Sequence, residues 1–164
     1  MSHAYGAPAD KDEMTALLAD AVEMGYLFFD TAEMYGTSDR PHDNEELLGK
    51  ALQRFRDHIV IATKFGISFD SPEAGGTHAV IPDSRPEIIR HSVEGSLRRL
   101  RTDHIDLSIS THRPKGRTGR GGRWDGRSDP RGKILHWGIS EATEECFDAL
   151  TKSVPSRPYR TVIR

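Results

Sequence analysis

A single cysteine, Cys146, stands in 164 residues. One thiol excludes an internal disulfide and a cysteine-based metal site within this chain, and it fits a reducing compartment. Cys146 is expected to be a small buried hydrophobe rather than a nucleophile. No apolar run approaches the ~20 residues of a membrane span. The opening MSHAYGAPADKDE has neither the basic nor the apolar stretch of a secretory leader. The cytoplasm is therefore the expected location, and no membrane partner is expected. Neither sign of charge dominates: the net charge is −2, which gives nucleic acid and acidic membranes no general attraction. Hydrophobic residues make up 35% and mean hydropathy is −0.60, so the length suits one domain with a lean core. His3, His42, His58, His78, His91, His104 and His136 show no metal-ligand spacing. Gly-x-Gly-x-x-Gly and Walker-type phosphate loops are missing too.

What is present is a repeated order of elements. Asp10 to Met24 reads as a helix, with Met14, Leu17, Leu18 and Ala21 on one stripe. Asp10, Asp12 and Glu13 put negative charge at its positive end, and Gly25 stops it. Tyr26-Leu27-Phe28-Phe29 is a short continuous apolar run, which suits a parallel strand buried on both faces. It ends on Asp30. A second helix is expected over about 43–55, with Asp43 and Glu46 at capping-box spacing and Leu47, Leu48, Ala51, Leu52 and Phe55 inward. Ile59 to Lys64 is a second strand, followed by a long loop containing Pro72, Gly75, Gly76 and Pro82. Ser84 and Glu87 repeat the capping-box spacing ahead of a third helix, about 86–101, with Ile89, Val93, Leu97 and Leu100 inward. Ile105 to Ser110 is a third strand that ends near His112, and Ile134 to Ile139 a fourth, followed by a helix from Thr143 to about Leu150. Tyr159 to Ile163 is a candidate strand fragment. Strands alternating with helices imply βαβ units and a parallel sheet.

The stretch from Lys115 to Arg131 breaks the pattern, with five glycines and six basic residues in 17 positions. Glycine at that density disfavours helix by about 1 kcal/mol per residue relative to alanine, so an irregular loop is expected. It reads as a non-native stretch, such as a translated frameshift, as an ordinary solvated loop, or as a basic tract for single-stranded nucleic acid. Only Trp124 could stack on a base, so nucleic acid is not expected as a partner.

Four strand ends deliver polar groups: Asp30 with Tyr35 five residues on, Lys64, His112, and Ser140 with Glu141. In parallel α/β folds this edge is where sites are built. A phenol is a poor acid at neutral pH. An ammonium beside it stabilises the phenolate, and a carboxylate can hold the ammonium. A neutral histidine can orient a carbonyl oxygen. No side chain donates hydride, so such a quartet implies a nicotinamide cofactor. Taken singly, Asp30 could cap a turn, Tyr35 could be a rim aromatic, and Lys64 and His112 could be solvated.

Several stretches resemble the aldo-keto reductase family. Phe29-Asp-Thr-Ala-Glu-Met-Tyr-Gly36 is similar to its signature around the catalytic aspartate and tyrosine. Asn44 to Leu52, Ile61 to Gly66, Ser96 to Leu100, Asp103 to Leu107 and Gly132 to Ala142 resemble the following helix, the lysine strand, the run into the histidine strand, and the fifth barrel strand. Met1-Ser-His-Ala-Tyr-Gly6 resembles the loop after the first strand. The resemblance implies Tyr35 as general acid, Lys64 activating it, Asp30 paired with Lys64, and His112 orienting the substrate carbonyl. Ser140 and Glu141 would contact the cofactor. The implied reaction is reversible hydride transfer between NADP(H) and an aldehyde or ketone.

The implied fold is α/β, roughly the N-terminal half of a (β/α)8 barrel, which takes about 250 residues when whole. The expected organisation is one incomplete barrel domain over 1–164, with 115–131 irregular and 151–164 a poorly matching tail. The family's first strand, its seventh and eighth strands and its loop for the 2′-phosphate are not found in the sequence. An open barrel edge invites self-association.

Overall fold

The computed structural model describes residues 9–37, 39–69, 80–82, 86–110, 132–140 and 162–163. Three helices, α1 (Lys11–Glu23), α2 (Asp43–Leu52) and α3 (Pro86–Leu100), alternate with strands β1 (Phe28–Asp30), β2 (Val60–Phe65), β5 (Ile105–Ser110), β6 (Ile134–Ser140) and β7 (Val162–Ile163). These five strands form one sheet in the order β1-β2-β5-β6-β7, parallel at every junction. The expected βαβ architecture is therefore observed. The predicted helix from Thr143, the tract 115–131 and most of the tail lie outside the described residues. The expected strand fragment near Ile163 is β7, beside β6.

Helix ends follow local chemistry. The Asp10 carboxylate caps α1 by accepting from the amides of Asp12 and Glu13 at 2.9 and 3.0 Å. At its other end Gly25 takes φ +93°. Its amide bonds to the Val22 carbonyl and that of Tyr26 to the Ala21 carbonyl, a Schellman closure. Helix α3 closes by the same pair of bonds around Arg101, which takes φ 55° without being glycine.

Some expectations fail for physical reasons. Asp43 does not cap α2. The cap residue is His42, whose side chain makes no bond to the helix's first amides, and the Asp43 carboxylate is drawn to Lys11 at 2.6 Å and Arg40 at 2.7 Å. The predicted end of that helix tightens into a 3-10 turn, Gln53–His58. Within the predicted loop after β2, β3 (Ile67–Phe69) and β4 (Val80–Pro82) pair as an antiparallel hairpin. Leu17 is 49% exposed rather than part of the α1 stripe, because Met14, Leu18 and Val22, at i, i+4 and i+8, face the core instead. The run 26–29 is not buried on both faces. It becomes a strand only from Phe28, and Phe28 is 54% exposed, because among the described residues β1 pairs with β2 alone.

Alternation gives the sheet two faces. Ile59 and Ile61 of the β2 segment pack under α1 and α2 with Leu18, Leu48, Leu52 and Leu100. Phe65 packs with Ile89, Val93 and Leu97 of α3, as the helical spacing predicts. The other face carries Ala62, Leu107 and Ile109 as a small apolar layer. At the strands' N-terminal end, Arg56 reaches Thr102 Oγ1, the carbonyls of Ile59 and His104, and Asp106 at 2.6 Å. Asp106 in turn accepts from the Ile61 amide. This clamp ties the 3-10 turn to the starts of β2 and β5.

Helices α2 and α3 touch backbone to backbone at Gly49. A Cβ there would lie 2.1 Å from the Arg99 carbonyl oxygen and 2.8 Å from Leu100 Cα. Gly49→Ala is therefore expected to lose at least about 1–3 kcal/mol, the usual cost of overpacking, read as a lower urea midpoint. A midpoint equal to the parent's would contradict this packing.

Candidate active site

The site begins with strand register. Asp30 sits opposite Ala62 in the β1–β2 pair, so Lys64 follows one pleat later on the same face, away from the helices. The Lys64 ammonium donates to both oxygens of Asp30, at 2.7 and 2.6 Å. The lysine side chain is 12% exposed and the aspartate 49%: the cation is drawn in and its partner stays at the rim. Tyr35 arrives from the loop after β1, and the ammonium lies 4.8 Å from its ring centroid, within cation–π range. One nitrogen thus bridges two of the residues that the sequence singles out.

The loop from Thr31 to Tyr35 is tied on both sides. Towards β2, the Thr31 amide donates to the Ala62 carbonyl at 2.8 Å and the Glu33 amide to the Lys64 carbonyl at 2.9 Å. Towards α2, the Asn44 amide donates to the Tyr35 carbonyl at 3.0 Å, the Thr31 hydroxyl to Asn44 Oδ1 at 2.8 Å, and His42 Nδ1 to the Glu33 carbonyl.

Under this loop lies a set of charges that the sequence reading missed. Glu45 is fully buried. Its carboxylate accepts from Thr63 Oγ1 at 2.5 Å and from Arg99 Nε at 2.6 Å. Arg99 also reaches Ser96 and lies 3.7 Å from Glu33 Oε1. An uncompensated buried charge costs several kcal/mol, so Glu45 and Arg99 depend on each other. A signal for them was present. Glu45 is three and seven residues before Leu48 and Leu52, on the apolar face of α2, and Ser92, Ser96 and Arg99 make a polar stripe at i, i+4 and i+7 on α3. Burial pushes the Glu33 carboxyl above the ordinary glutamate value, against a hydrogen bond from Ser92 and the attraction of Arg99.

Ser140 ends β6, two residues after Gly138, which pairs with Ile109. It therefore shares the face of Lys64, two strands away, and of Asp30, three strands away. His112 and Glu141 lie outside the described residues. Among the described residues no group of three metal-ligating side chains is found, and no helix is long and apolar enough to cross a membrane.

Comparison with known proteins decides what this arrangement descends from. The model of the aldo/keto reductase family matches residues 2–156. The chain belongs to the aldo/keto reductase family. An uncharacterized oxidoreductase of Bacillus subtilis (strain 168), YqkF, is 38% identical over 98 residues, covering 60% of this chain and 29% of its own. A glycerol dehydrogenase from Gluconobacter oxydans is similar in structure, with TM-score 0.72 at 32% identity over 92% of this chain and 45% of its own. An aldo-keto reductase from Klebsiella pneumoniae, solved in complex with NADPH, gives TM-score 0.64 at 27% identity over 87% and 44%. The chain thus spans under half the length of these relatives, and its parallel sheet is a partial (β/α)8 barrel.

The raised Glu33 value has a measurable consequence. Folding takes up a proton at Glu33 between the ordinary glutamate range and the raised value, so the contribution of Glu33 to stability is most favourable below that range and falls as pH rises through the window. Glu33→Gln cannot ionise and keeps the shape. It is expected to raise the urea midpoint at neutral pH and to change it little at about pH 4. A loss of stability at neutral pH would contradict the assignment.

Proposed function

We propose that this chain carries the acid–base half of an NADP(H)-dependent carbonyl reductase centre, with Tyr35 as the proton donor. The observation behind it is the Lys64 ammonium, held by both Asp30 oxygens and seated 4.8 Å from the Tyr35 ring. That trio can deliver a proton and stabilise the phenolate left behind. The donor set fits a nicotinamide cofactor, because the described rim offers an acid and a cation but no reductant. Ser140 and Glu141 would hold its carboxamide end. When bound, the cofactor supplies the hydride that adds to the carbonyl carbon. Tyr35 Oη gives its proton to the carbonyl oxygen, so the C=O double bond becomes an alcohol. Lys64 holds the resulting phenolate beside its positive charge, and Asp30 keeps Lys64 in place. His112 would orient the carbonyl oxygen. The whole chain, 1–164, is then one barrel-derived domain acting in the cytoplasm, with 115–131 and 151–164 outside the catalytic design. General acid catalysis is worth about 10²–10⁴-fold. Tyr35→Phe is expected to lower NADPH-dependent reduction of a simple aldehyde by at least 10²-fold while leaving NADPH fluorescence quenching intact. Turnover that survives Tyr35→Phe removes the tyrosine from this role.

A second reading rests on the sheet edge. Phe28 and Val60 are register partners and are 54% and 39% exposed, beside the exposed Tyr26 and Leu27. Edge strands of this kind invite pairing, so the chain would act through self-association. Absent NADPH quenching, together with a dimer in light scattering that Phe28→Lys dissociates, would establish it. A monomer of the parent chain would end it.

A further inference from the structure

The described structure holds two carboxylates, one guanidinium and three hydroxyls beneath the reductase loop, where apolar side chains would pack as well. Glu33, Glu45, Thr63, Ser92 and Ser96 are all buried, and the Arg99 side chain is only 16% exposed. Replacing buried ion networks by apolar groups is often neutral or stabilising. Stability alone therefore does not account for this one. What it does uniquely is join three elements at fixed distances. Glu45 belongs to α2 and sits next to Asn44, whose amide and side chain hold Tyr35 and Thr31. Thr63 belongs to β2 and sits next to Lys64. Arg99 comes from α3 and spans from Glu45 to Glu33. Glu33 is two residues before Tyr35, and its amide grips the carbonyl of Lys64 itself.

We propose that Arg99, with Glu45 and Glu33, is a positioning residue for the Tyr35–Lys64 pair: it pins the Thr31–Tyr35 loop from below and so sets where the phenol stands over the ammonium. None of the three touches the reacting atoms. Apolar contacts tolerate sliding of the loop, whereas an Arg99 guanidinium fixed to Glu45 at 2.6 Å holds its charge 3.7 Å from Glu33 Oε1 and so ties the loop to α2 and α3. The tolerance is narrow, since a 1 Å misplacement of a catalytic group can cost about 10²-fold in rate. The inference rests on the reductase reading for its purpose, but its physical content is a geometry that can be read without turnover.

The experiment is NMR of the intact 164-residue chain with fluorinated tyrosine. Four tyrosines are present, Tyr5, Tyr26, Tyr35 and Tyr159. Tyr35 is assigned by its loss in Tyr35→Phe, and the exposed Tyr26 is the reference. The decisive variant is Glu45→Gln with Arg99→Met in a Glu33→Gln background, which removes the pin without stranding a charge on either carboxylate. It is expected to unfold within about 5 °C of the parent, yet its Tyr35 signal should broaden and move toward that of Tyr26. Leu97→Ala lowers stability without touching the network and should leave the Tyr35 signal in place. If the combined variant folds with Tyr35 unmoved, the network serves stability alone and the proposal is overturned. If the combined variant fails to fold, Arg99→Lys decides: it keeps the charge but offers no fork of donors. An intermediate displacement of the Tyr35 signal supports the proposal, and an unmoved signal overturns it. Loss of aldehyde turnover in Tyr35→Phe is a separate measurement, so failure of the reductase reading and failure of the pin are distinguishable.

Discussion

The parallel register of β1 and β2 is the constraint on which the rest depends. With Asp30 opposite Ala62, Lys64 falls on the open face one pleat further on, and its ammonium reaches both Asp30 oxygens. The same register turns Thr63 toward the helices, where it meets Glu45. A slip of one residue would exchange the faces. It would break the ammonium bridge above the sheet and the hydroxyl–carboxylate bond below it together. Site and core are thus consequences of one pairing, and they cannot be varied independently.

The two sides of the strand ends solve different problems. Above, Asp30 is half-exposed and exchanges with water, so its charge is cheap to keep. Below, Glu45 is fully buried, and Arg99 and Thr63 satisfy its carboxylate. The close approach of α2 to α3 at Gly49 brings the backbone of Arg99 and Leu100 against α2, which places the guanidinium within reach. A side chain at Gly49 would push Arg99 away and leave the carboxylate without its partner.

Much of this was legible in the sequence because it follows periodicity. Ile89, Val93, Leu97 and Leu100 repeat at helical spacing, and all four are buried. Asp30 and Lys64 end short apolar runs, and the structure puts them side by side. Tyr35 was legible through its motif rather than through any period. The misses are equally physical. Tyr26 to Phe29 looks like a buried strand, but burial needs neighbours on both sides, and among the described residues β1 has one. Ile67 to Phe69 and Val80 to Pro82 are too short, and too far apart along the chain, to announce a hairpin. Asp43 has the spacing of a cap, but Lys11, 32 residues earlier, claims its charge. Glu45 looks like a solvated helix residue until α3 is laid across it. Each miss is decided by a residue distant in sequence.

Arg56 and Asp106 lock the opposite end of the same strands. Between that lock and the site lies the dry layer of Ala62, Leu107 and Ile109. The three side chains of that layer are apolar, so none of them can pass a hydrogen bond from one end to the other. The two ends of these strands are thus held by separate polar sets, Arg56 with Asp106 at one and Asp30 with Lys64 at the other.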